Sequence, residues 1–107
     1  MPITVTIDEE WIVCRRGPTR SEGVRWSDLK AVLIETTDQG PFRNDVFWVL
    51  VGESSRCVVP QEAEGSQALL AKLQTLAGFD SNVVVDAMGS AENRTFVCWR
   101  KESSLPP

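Results

Sequence analysis

The sequence predicts an α+β domain: an antiparallel strand-rich sheet or partly open barrel of about six to seven strands, capped by one long and one short C-terminal helix. Three observations predict it. Alternating or continuous apolar runs follow one another up to Pro60, each short enough for a strand. Polar, Gly or Pro-containing turns separate most of them. Leucines at helical spacing appear only afterwards, so strands come first and helices late.

The elements follow in order. Residues 3–7 read I-T-V-T-I, a half-buried strand, and the turn of Asp8, Glu9 and Glu10 returns the chain into a second strand at 11–16. Gly17 and Pro18 break it, and a short third strand is expected at 23–26. Ser27 can cap a single helical or 3₁₀ turn before a long central strand at 31–37. Residues 38–45, D-Q-G-P-F-R-N-D, are loop chemistry. The run V-F-W-V-L-V at 46–51 is apolar on both faces and belongs in the middle of a sheet. A turn at 52–55 makes 56–59 its hairpin partner, and Pro60, which has no N–H to donate, stops that strand.

Beyond Pro60 the period changes. Ser66 is the expected N-cap of a helix over 66–77, with Glu62 and Glu64 near the positive end of its dipole. Leu69, Leu70, Leu73, Leu76 and Ala77 supply its apolar face, and Gly78 its terminator. Asp80 or Ser81 should cap a shorter helix over 82–88 ended by Gly89. A last strand is expected at 95–99, with 101–107 as a frayed tail of this single domain, 1–107.

Composition narrows the function. The chain has 107 residues, a net charge of −4 and no histidine. Phosphate neutralisation by Lys and Arg dominates nucleic-acid affinity, so this charge argues against nucleic acid. The best basic group, Arg15, Arg16, Arg20 and Arg25, is interleaved with Glu9, Glu10 and Glu22. No run reaches the roughly 18 apolar residues of a membrane span, and MPITVTIDEE lacks the features of a secretion signal. A cytoplasmic protein with no membrane association is the expectation.

Without imidazole there is no Ser-His or Cys-His pair and no histidine metal ligand. Cys14, Cys57 and Cys98 lack metal-site spacing and are expected to be reduced, buried small hydrophobes. No metal, no cofactor and no catalytic residue are therefore assigned. The candidate partner-binding residues lie at three places. Asp38, Phe42, Arg43 and Asp45 sit in the long loop, where Phe42 beside Arg43 offers an aromatic-plus-Arg contact. Gln61, Glu62 and Glu64 form an acidic lead into the helix, and Arg94 precedes the last strand. Of the four tryptophans, Trp11 and Trp99 are the better candidates for an exposed position at an interface.

The stretch G-V-R-W-S-D-L-K-A-V at 23–32 resembles the segment joining the two strand meanders of the pleckstrin-homology-like superfamily, in its bacterial and GRAM-type forms. The likeness extends through the 46–59 hairpin to the helix after it. It implies a binding scaffold without catalysis, here with a divergent helix-strand extension over the last 30 residues. The acidic loops do not match the basic phosphoinositide loops of that superfamily. The expected function is a non-catalytic protein-binding module, an inhibitor or immunity-type protein for a basic partner, with homodimerisation through an exposed strand edge as the nearest variant. The alternatives are a small-molecule enzyme using Asp38, Asp45 and Glu62, and a lipid or membrane-surface adaptor.

Overall fold

A computed structural model describes residues 3–37, 46–90 and 92–101. The chain runs β1 (Thr4–Ile7), β2 (Trp11–Arg15), β3 (Ser21–Arg25), a 3₁₀ turn (Trp26–Asp28), β4 (Leu29–Thr36), β5 (Val46–Gly52), β6 (Arg56–Pro60), α1 (Ser66–Leu73), α2 (Ser81–Met88) and β7 (Arg94–Arg100). All strand pairs are antiparallel, in two sheets ordered β1-β2-β3 and β6-β5-β4-β7. Among the described residues, the seven strands thus form two open sheets rather than a closed barrel.

Local chemistry explains the first hairpin. The Asp8 carboxylate accepts the Glu10 and Trp11 N–H groups at 2.7 Å each, which closes the turn. Val5, Ile12, Cys14 and Val24 then point inward in register. Trp26 pins the following turn to this hairpin: its N–H donates to Glu10 O at 2.9 Å and its indole to Asp8 O at 2.8 Å. The 3₁₀ turn starts at Trp26, one residue before Ser27, and no side chain caps it.

The apolar run at 46–51 lies inside the sheet as β5, between β4 and β6, and Trp48 is fully buried. Val32, Ile34, Trp48, Leu50, Cys57 and Val59 meet Leu69 and Leu73 of α1 and Val84 and Ala87 of α2 in one core. β7 pairs with β4 and completes the larger sheet, with a register shift at Cys98. Lys101 continues that pairing through its N–H to Lys30 O at 2.7 Å, so the ordered pairing extends one residue into the expected tail.

The expected long helix is shorter than its leucine spacing implies. α1 ends at Leu73, because Thr75 and Leu76 donate to Lys72 and Leu73 carbonyls in tighter i to i+3 bonds. The Thr75 hydroxyl competes for the same Lys72 carbonyl at 2.6 Å. Leu76 still packs on the core from this turn, and Gly78, at φ +87°, ends the irregular stretch. The two helices are therefore equal, at eight residues each. The N-cap of α1 is Gly65, not Ser66, whose hydroxyl instead donates to Gln61 O at 2.8 Å. No acidic residue occupies the first turn. Asp80 caps α2 by accepting the Asn82 and Val83 N–H groups.

Candidate interaction site

Side chains alternate across a strand, so turning Ile12 and Cys14 inward turns Trp11, Val13 and Arg15 outward. Across β3, Arg25, Gly23 and Ser21 oppose these three residues. Gly23 has no side chain to cover the sheet, and the Trp11 ring lies beside it. A Cβ at Gly23 would sit 3.5 Å from the nearest ring carbon. The result is a shallow cleft of about 410 Å³ lined by Asp8, Trp11, Val13, Ser21, Glu22 and Gly23.

Trp11 keeps 36% of its surface exposed there, a large apolar area for a surface strand residue. The Arg25 guanidinium stacks 4.8 Å from its ring centroid and lies 3.6 Å from the Glu10 carboxylate. The N–H groups of Trp11 and then Glu10 hold the Asp8 carboxyl below its usual value of 3.8, so the rim is anionic at neutral pH. An aromatic wall, a stacked guanidinium and a fixed carboxylate can accept an apolar group flanked by a cation.

A second cleft, about 400 Å³, opens where α2 hands over to β7, lined by Asp86, Gly89, Ser90, Glu92, Arg94 and Phe96. Arg94 lies 4.9 Å from the Phe96 centroid. Thr36 ties β4 to this corner by donating to Glu92 O at 2.6 Å. Among the described residues, no group of three or more Cys, Asp or Glu side chains is gathered in a way that could hold a metal ion.

The sequence candidates fall into separate places. Arg94 lines the second cleft. Gln61 faces inward, its Oε1 accepting the Trp48 indole N–H at 2.5 Å. Glu62 and Glu64 are exposed on the connection to α1, and the backbone of Glu64 pairs with β1 through Ile3 O and Val5 N. Asp38, Phe42, Arg43 and Asp45 lie outside the described residues. Arg16 and Arg25 of the basic group are each beside a carboxylate, Glu22 at 3.4 Å and Glu10 at 3.6 Å. Of the two tryptophans expected at the surface, Trp11 is the more open, whereas Trp99 is half-buried and donates its indole N–H to Ala77 O at 2.9 Å.

Sequence reasoning missed the cleft beside Trp11. Its signal was present as a glycine inside a strand, which marks a place where something approaches the backbone closely. No family model, curated protein or solved structure matches the chain. No helix is long and apolar enough to cross a membrane among the described residues.

Proposed function

We propose that this chain is a non-catalytic protein-binding domain whose Trp11 face receives a basic partner, in an inhibitor or immunity-type role. The observation that carries the reading is Trp11 itself: an exposed aromatic on a strand, beside a glycine notch, with Arg25 stacked on it. Trp and Arg are the residue types that most often anchor interfaces, and a strand presents them at low entropic cost. The net charge of −4 favours a cationic partner, and the absence of histidine favours binding over acid-base chemistry. The resemblance to pleckstrin-homology-like scaffolds belongs to the same proposal and rests on residues 23–32, which run from β3 through the 3₁₀ turn into β4.

The test compares the immobilised chain with its Trp11→Ala variant for proteins retained from a lysate, at low and high salt. The expected result is a basic protein held by the parent, released by salt and lost with the variant. Circular dichroism confirms that the variant remains folded. Identical retention by both proteins would overturn the assignment of Trp11, and no salt-sensitive retention by the parent would overturn the function. Sedimentation of the chain alone separates self-association from hetero-association.

A further inference from the structure

Cys14 lies in β2 and Cys57 in β6, on the two sides of the seam between the sheets. Both are fully buried free thiols. Cys14 Sγ is 3.6 Å from Val58 O, the carbonyl of the residue after Cys57. Cys57 Sγ is 3.8 Å from Glu22 O, and Glu22 is the register partner of Cys14. Each thiol also perturbs the ionisation of the other, as neighbours do. Residues 43 positions apart in the chain thus meet across the seam, each sulfur reaching the other side.

We infer that Cys14 and Cys57 form a dithiol that hydrogen peroxide converts to an intramolecular disulfide, stapling β2 to β6 across the seam. Cys14 is the attacking sulfur. The neighbouring Cys57 thiol, then the charge of Arg16, draw its pKa down against the effect of burial, while the Cys14 thiol and burial push Cys57 up. The Cys14 thiolate attacks one peroxide oxygen, the O–O bond breaks and hydroxide leaves, giving a sulfenic acid. The Cys57 sulfur then attacks the Cys14 sulfur. The S–O bond breaks, and the Cys57 proton leaves with the hydroxyl group as water. In sum, the two thiols give up two electrons and two protons, and one peroxide becomes two waters.

Access requires only local opening. Beside the sulfurs, side chains of Arg16 and Glu22 hold the seam at Val58, with no backbone ladder between β3 and β6. Cys98 stands apart in β7, and burial followed by the Asp80 charge pushes its pKa up to about 11, so it remains a thiol.

The experiment uses the full chain and its Cys98→Ala and Cys14→Ser variants. Folded protein is titrated with hydrogen peroxide, and reduced protein is refolded in a glutathione redox buffer so that burial cannot block oxidation. Thiols are counted after denaturation, and links are mapped by peptide mass spectrometry. The parent should fall from three thiols to one, lose two hydrogens in mass and carry a Cys14–Cys57 link. Tm should rise by roughly 10–20 °C, as expected for closing a loop of this length. Cys98→Ala should form the same link and Cys14→Ser should not. Three persisting thiols in both treatments, a link that includes Cys98, a disulfide dimer, or added oxygen without a link would each overturn the inference. Should Cys14→Ser fail to fold, Cys98→Ala alone decides.

Discussion

Glu22 reaches out of β3 and accepts the Val58 N–H at 3.0 Å, so a carboxylate stands where the backbone of a neighbouring strand would. Arg16 completes the arrangement by donating to Val58 O and lying 3.4 Å from the same Glu22 oxygen. β6 is an edge strand, and this pair occupies both backbone groups of Val58. It also joins the two sheets through side chains, which leaves the barrel open.

Removing that carboxylate should loosen the seam. Glu22→Ala leaves the Val58 N–H without its acceptor and Arg16 without its counter-ion, at an expected cost of about 1–2 kcal/mol. Arg25→Ala, which breaks a solvent-exposed pair with Glu10, should cost less than about 1 kcal/mol. Urea unfolding measures both, and hydrogen exchange at the Val58 amide should accelerate only in the first.

Gly65 is required by close approach as well as by its left-handed φ of +93°. A Cβ there would fall 2.1 Å from Val5 O, inside the contact that ties the α1 connection to β1. Gly65→Ala should therefore cost about 3 kcal/mol or more. At Gly78, with φ +87° and open space around the position, the same change should cost about 1 kcal/mol. Thermal denaturation of the two variants separates collision from backbone strain.

Gln61 serves the core. In Gln61→Leu the buried Trp48 indole loses its acceptor, and the expected loss is about 1–3 kcal/mol. Adding Trp48→Phe should make the second change much cheaper than it is alone, because a hydrocarbon ring needs no acceptor. A double-mutant cycle by urea unfolding reads the coupling, and additive losses would contradict it.

The Asp8 turn predicts an acid-side dependence. The carboxyl titrates below 3.8 when folded, because the Trp11 and Glu10 N–H groups favour its charged form. As pH falls through this window the unfolded chain takes up the proton first, so stability falls with it, and the full contribution is present above 3.8. Tm measured from about pH 5 to about pH 3 should drop less steeply in Asp8→Asn than in the parent. Equal slopes would assign the acid sensitivity elsewhere.

The sequence by itself determined the succession of strands along the chain, both hairpins, the burial of Trp48 and the two helix sites, because each rests on neighbours in the chain: the alternation of 3–7, the turn at Asp8, the apolar run at 46–51. It also marked Trp11 as a surface candidate. Where α1 stops was beyond its reach, since leucines at helical spacing through Leu76 serve a tight turn as well as a helix. The tertiary structure alone decided that Glu22 meets Val58, that Gln61 serves Trp48, that Gly65 yields to Val5, and that Cys14 and Cys57 meet across the seam. Each of these is a meeting of groups distant in sequence, set by how two sheets pack around one core. Local propensity carries no record of that distance.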